Sequence, residues 1–310
     1  MHRGATAMVT LGIAAGAAFH RGGGQLIQPP AADSTTVVLL GTGTPSPDPA
    51  AFGPSTAVVV GSRVFLFDAG VGVERRLAAA HLPASGPTAT FITHLHSDHT
   101  LGLPDLILTS WIARRRVPLQ LYGPHGLKRM VDDILDAWSE DIAIRVNGLE
   151  HELPDVYRAQ VHEIVPGVVY DSGGVRVTAI PVRHGDWKEA YGYRIDTPTR
   201  SIVLSGDTRP DDSLDAASRH VDVLIHEVYP ASRVAAEARP GGADWPAYLR
   251  AFHTSDVELG AIAARAQPRL LILNHIVRMG ASDSELIAGI RRGGYRGKVV
   301  VGRDLDRYNP

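Results

Sequence analysis

The chain has 310 residues, 31 Lys and Arg against 33 Asp and Glu for a net charge of −2, 44% hydrophobic and 21% charged residues, and no cysteine. This is an ordinary globular composition, long enough for one large core. It excludes a disulfide scaffold, thiolate metal ligation and a cysteine nucleophile, and it lacks the basic excess of a dedicated nucleic-acid binder.

In chain order, residues 1–32 read as leader and linker. Met1-His2-Arg3 is weakly basic, Ala5 to Ala18 is an apolar run of small residues, and Gly16-Ala17-Ala18 offers a cleavage site. Gly22-Gly23-Gly24 and the Pro/Ala-rich stretch to Ser34 follow as linker. The pattern is that of a secretory signal, or of an anchor if uncut, and it favours export to the periplasm or medium. The alternative is a disordered leader or a mis-assigned start, with Met8 the other candidate, and a cytoplasmic protein is expected if the segment is not a signal. The apolar run is too short for a confident membrane span, so no stable membrane partner is expected.

Residues 33–310 form one expected domain. Apolar and β-branched runs predict strands at 36–40, 56–60, 64–67, 89–92, 119–121, 175–180, 191–195, 201–204, 222–225, 270–274 and 298–301. Helical spacing predicts helices at 73–80, 101–115, 124–138, 255–267 and 283–292, and the alternation argues an α/β fold. Segment 140–170 reads as irregular. Segment 229–251 reads as an excursion carrying Tyr229, Trp245 and Tyr248, and both segments are expected to border a substrate pocket. The dense basic cluster Arg114-Arg115-Arg116 is read as the end of a helix, complementing its dipole.

The chemistry concentrates in Thr93-His94-Leu95-His96-Ser97-Asp98-His99, directly after a strand. Four metal-ligand side chains in six residues suit zinc, manganese or iron, and two ions can share such a cluster. Three further candidates also follow strand-like runs: His184 after 175–182, Asp207 after 201–204, and His275 after 270–273. Strand ends hold a ligand more rigidly than loops do. Gly41-Thr42-Gly43-Thr44-Pro45 has no third glycine and no Lys-Ser/Thr pair. It is therefore expected to be a tight turn lining the site and not a nucleotide loop.

These seven residues, in this order, resemble the metallo-β-lactamase fold superfamily from about Val37 to Asp306. The resemblance implies a four-layer αββα sandwich with a two-metal site on one edge. By the family pattern His94, His96 and His184 would hold the first metal, Asp98, His99 and His275 the second, and Asp207 would bridge them. Two cations roughly 3.5–4 Å apart can lower the pKa of a shared water from ~15.7 to near 7, which supplies a hydroxide nucleophile at neutral pH. Two Zn2+ are expected, and Mn2+ or Fe2+ are compatible with the same donors.

Within the superfamily the chain is most similar to the ribonuclease Z branch. Leu39 to Pro45, Phe67-Asp68-Ala69-Gly70, and Tyr191 to Ile195 carry that likeness. His226-Glu227-Val228-Tyr229 and Phe252-His253-Thr254-Ser255 resemble the branch's paired Glu and His. The resemblance implies that His253 is a general acid or charge stabiliser oriented by Glu227, with Asp98 completing the catalytic set. The same segment also predicts a helix cap, Ser255 with Glu258. The branch continues Phe-Asp-x-Gly differently from Val71-Gly72-Val73-Glu74. Its tRNA-gripping arm would align between Ile195 and Asp207, where eleven residues make only a hairpin turning at Asp196–Arg200. The expected activity is hydrolysis of a small-molecule phosphodiester or other ester, with RNA disfavoured. Alternatives are tRNA 3′ processing, a lactonase or arylsulfatase-like reaction, a β-lactamase, and a metal-stabilised scaffold without catalysis. A homodimer is compatible with the branch.

Overall fold

The computed structural model describes residues 34–234 and 244–310; the leader expected over residues 1–32 lies outside them. The layers follow from strands that are apolar on both faces. In β1 (Thr35–Gly41), Val37 and Leu39 enter one apolar layer, while Val38 and Leu40 enter another on the opposite side. A strand covered on both faces reads as a continuous apolar run.

Two seven-stranded sheets result. The first orders β14 (Arg307–Tyr308), β1, β2 (Ser55–Val60), β3 (Arg63–Phe67), β4 (Ala89–Phe91), β5 (Leu119–Gly123) and β6 (Ala159–Glu163). The second orders β13 (Lys298–Val301), β12 (Leu270–Ile276), β11 (Val223–Val228), β10 (Ser201–Leu204), β9 (Tyr191–Asp196), β8 (Val175–Pro181) and β7 (Gly167–Ser172). Between them Phe65, Phe67 and Phe91 meet Tyr193, Ile195, Ile225 and Ile272. Outside the first sheet pack α1 (Val73–Ala79), α3 (Leu103–Ile112) and α4 (Leu127–Ala137). Outside the second pack α6 (Asp212–Ala217), α8 (Asp256–Ala266) and α9 (Asp283–Arg292). This is the expected αββα sandwich. The short α2 (Ser97–Thr100) lies within the His-rich motif.

Ser255 caps α8, and the reciprocal bond from its backbone to Glu258 is present, as the sequence indicates. Asp196–Arg200 is a tight turn between antiparallel β9 and β10.

Other expectations need correction. Segment 140–170 is not irregular: it carries most of α5 (Ser139–Asn147), then β6, and runs into β7. Both strands sit at sheet edges and neither has a fully buried residue, so their apolar signal is weak. The excursion at 229–251 carries all but the last residue of α7 (Trp245–Phe252), opened by Asp244 accepting from the Ala247 amide. Helix α6 and strand β14 are too short to show a period. The helix expected to reach residue 115 ends at Ile112, and Arg115 is buried. Its guanidinium donates to the carbonyls of Ile107 and Arg158 at 2.9 and 3.2 Å. Arg115 is therefore a structural tie and not part of an exposed basic turn.

Candidate metal centre

All seven candidate ligands converge at one edge of the sandwich. His94, His96, His184 and Asp207 offer donor atoms within 4.8 Å of one another, as do Asp98, His99 and His275. Asp207 stands between the groups: its carboxylate is 3.5 Å from His99 Nε2, 3.9 Å from His184 Nε2 and 3.5 Å from His275 Nδ1. His275 reaches the site through a bulge. Glu227 pairs with Asn274 and Val228 with Ile276, which leaves His275 as the extra residue, at φ 41°. A bulge of this kind re-aims one side chain out of a regular ladder.

The outer nitrogens of three histidines have partners that set their tautomers. His99 Nδ1 donates to Asp68 at 2.8 Å, and His184 Nδ1 donates to the Phe252 carbonyl at 2.7 Å. The Thr93 hydroxyl donates to Asp68 and so accepts from His94 Nδ1 at 3.0 Å. In the neutral form of each ring, Nε2 is left with its lone pair directed at the centre. Asp68 is the hub of this arrangement: it also accepts from the Thr93 amide at 2.8 Å, and its own φ is 61°. Sequence reasoning placed Asp68 in a motif but gave it no role.

The donor set fits divalent cations. His96 Nδ1 lies 2.9 Å from His94 Nε2 and 3.1 Å from His184 Nε2. Three ring nitrogens converging in this way cannot satisfy one another, since one proton serves one neighbour at a time. His99 Nε2, Asp207 Oδ1 and His275 Nδ1 are buried without a hydrogen-bond partner, an expensive arrangement that a cation relieves. His96 differs in its outer contact, where the Trp187 indole donates to Nε2 at 2.8 Å. That bond requires the proton on Nδ1, whereas ligation through Nδ1 requires it on Nε2.

Electrostatics follow the burial. Burial holds His94 well below its ordinary value and brings His184 to about 4, so both stay neutral and able to ligate. For His99, burial opposes charge, but Asp207 and Asp68 outweigh it and hold the ring well above its usual range. Burial likewise opposes charge on Asp207, yet His275 and His99 keep its carboxyl well below the usual range.

His253 and Glu227 are also brought together. His253 Nδ1 is 3.3 Å from Glu227 Oε1, an oxygen that accepts from the amides of Thr208 and Thr254, both at 3.1 Å. Burial would lower His253, but Glu227 raises it to about 9. His253 also shares a donor group with Asp207 and His275, and so sits against the centre.

A cleft of about 1800 Å³ opens beside these residues. One wall is the loop from Thr42 to Ala51, as expected of the Gly41–Pro45 turn. Its base is tied by Asp304, which accepts from the Thr42 amide and hydroxyl and from the Phe52 amide. Trp245, Tyr248 and Phe252 of α7 line another wall as a stack, with centroids 5.1 and 4.3 Å apart. Tyr229 does not line the cleft: it is buried, bridged to Ser255. Segment 140–170 contributes nothing to the walls. Among the described residues, no helix is long and apolar enough to cross a membrane.

Comparison with known proteins agrees with this geometry. Residues 63–276 match the family model described as beta-lactamase superfamily domain. The chain is 36% identical over 275 residues to a protein named Ribonuclease Z from Mycobacterium bovis (strain BCG / Pasteur 1173P2), covering 87% of this chain and 96% of that one. A Ribonuclease Z from Mycobacterium tuberculosis (strain ATCC 25177 / H37Ra) is 34% identical with the same coverage. In fold, the chain is similar to the metallo-beta-lactamase fold protein YhfI from Bacillus subtilis (TM-score 0.69, 19% identity, 89% of this chain and 100% of that one). It is also similar to the short form of human tRNase Z (TM-score 0.65, 22% identity, 89% and 99%). The chain belongs to the beta-lactamase superfamily, in its ribonuclease Z branch, and is a metal-dependent hydrolase.

Proposed function

We propose that the protein is a dinuclear zinc phosphodiesterase. His94, His96 and His184 would hold one ion, Asp98, His99 and His275 the other, and Asp207 would serve both. The observation that carries this reading is the position of Asp207, within 3.9 Å of imidazoles from both groups, with one oxygen left without a partner. A cation pair supplies Lewis acidity and a nucleophile at neutral pH. The chain's own contribution is placement. Asp68, Thr93 and the Phe252 carbonyl aim the ligands, and Glu227 keeps a proton on His253 at the cleft floor, where it can meet a departing alkoxide.

The test is hydrolysis of bis(p-nitrophenyl) phosphate by the zinc-loaded protein, with Asp207→Ala as control. Release that depends on Asp207 is expected. Two zinc ions bound without release would redirect the search to lactones, sulfate esters and carboxylic esters. A second reading, RNA 3′ processing, is favoured by the relatives named Ribonuclease Z, which align over nearly their whole length. The tight turn at Asp196–Arg200 and the net charge of −2 favour a smaller substrate. Cleavage of a 3′-extended tRNA precursor at rates matching a dinucleotide would decide for RNA.

A further inference from the structure

Two arginines flank the metal ligands and are not used by anything described above. Arg183 immediately precedes His184, and Arg209 follows Asp207 and Thr208. Their backbones are joined, the Arg209 amide donating to the Arg183 carbonyl at 2.9 Å. Both side chains line the cleft. We propose that Arg183 and Arg209 form a subsite for a second phosphoryl group of the substrate, adjacent to the phosphodiester that reacts. The proposal rests on the phosphodiesterase reading and adds that the substrate carries a further phosphate.

Three observations carry it. The first is availability. Among the described residues Arg209 has no ion pair or side-chain hydrogen bond, and Arg183 has only a loose pair with Asp211 at 3.5 Å while its side chain is 67% exposed. At 3.5 Å, without a hydrogen bond, the buried Asp211 carboxylate holds the mostly exposed guanidinium only loosely. Other arginines of the same cleft are committed, Arg278 and Arg303 both to Asp283 at 2.8 and 3.0 Å. The second is placement. The strand ends that fix His184 and Asp207 also fix these two Cα positions, so the guanidinium groups reach the cleft from the rim of the centre and their bases cannot drift. The third is charge. The chain as a whole is net negative, yet Arg183 and Arg209 stand side by side in the cleft wall, with Asp186 the acid on the same loop. Lys188 adds a third cation on the loop that follows His184. Paired guanidinium forks match the oxygens of a phosphate bidentately, which a single ester phosphate already held by metals does not need.

The experiment compares a dinucleoside monophosphate with forms bearing an additional 5′- or 3′-terminal phosphate, as substrates of the zinc-loaded full-length protein. For one of the two phosphorylated forms, kcat/KM is expected to be at least tenfold higher, mainly through KM. The advantage should shrink as salt rises and disappear in the double variant Arg183→Gln, Arg209→Gln. Equal kcat/KM for all three substrates, or an advantage that survives the double substitution, would overturn the subsite. If the double variant loses its zinc, the wild-type ratio and its salt dependence decide instead. Zinc-loaded protein inert toward bis(p-nitrophenyl) phosphate would overturn the phosphodiesterase reading itself, a distinct outcome.

Discussion

Asp68→Asn removes one oxygen's charge and changes little in volume, yet it should disable half of the centre. The native carboxylate accepts at two sides: Oδ1 from the Thr93 amide at 2.8 Å, and Oδ2 from His99 Nδ1 at 2.8 Å. Asparagine can accept at one side only. If its oxygen stays with Thr93, its amide nitrogen faces the N–H of His99, and two donors meet. His99 escapes by moving its proton to Nε2. That atom lies 3.6 Å from Asp98 and 3.5 Å from Asp207, where its lone pair is needed for a metal. Loss of such an outer-sphere partner costs about 10–100-fold in metal affinity, or about 1.4–2.8 kcal/mol. The effect should fall on the second equivalent, since His94 keeps its bond to Thr93. Zinc titration against a competing chelator measures it, with the urea midpoint of the metal-free protein as a folding check. A variant that binds its second zinc within twofold of wild type would refute the argument that Asp68 sets the His99 tautomer.

Asp207→Ala should abolish hydrolysis and reduce bound zinc from two equivalents to at most one, because the shared ligand is lost; elemental analysis and turnover together check it. Trp187→Phe should tighten zinc binding by about fivefold, since the indole's bond to His96 Nε2 at 2.8 Å competes with ligation through Nδ1 and one such bond is worth about 1 kcal/mol; unchanged affinity would mean that the indole turns aside without cost. His253 is raised from 6.5 to about 9 by Glu227, so it contributes up to roughly 3 kcal/mol to the metal-free protein below pH 6.5, lost as pH rises through 9. Urea denaturation from pH 6 to pH 9.5 should show this slope in wild type and a flatter one in Glu227→Gln.

The centre was legible in the sequence because most of the ligands lie at or just past the end of a strand whose signal is strong. β4, β10 and β12 are buried throughout or nearly so, and an apolar run ending in His or Asp stands out. The groups that aim the ligands were not legible. His99 depends on a carboxylate 31 positions earlier, and His184 on a backbone carbonyl 68 positions later. A carbonyl has no residue identity to read, and an acid in a turn looks like any other until the fold brings it to the ring. The bulge at His275 is invisible for a related reason: an extra residue leaves the apolar run intact, and only the pairing with β11 exposes it.

The cleft walls were the least legible part, and the reason is physical. α7 is eight residues long, and its aromatic side chains are only partly buried, stacked on one another. Nothing in a short, mixed segment distinguishes a wall from a loop. Yet the ligand shell depends on it, because Ala251 and Phe252 at its C-terminal end accept from Gly185 and from His184 Nδ1. A β-carbon at Gly185 would lie 1.9 Å from the Phe252 ring, at a φ of 52° that already favours glycine. The helix that shapes the substrate wall and the histidine that would hold a metal are therefore packed without slack. Variation in α7 that alters substrate choice must keep its last turn in place, or the first metal position is lost with it.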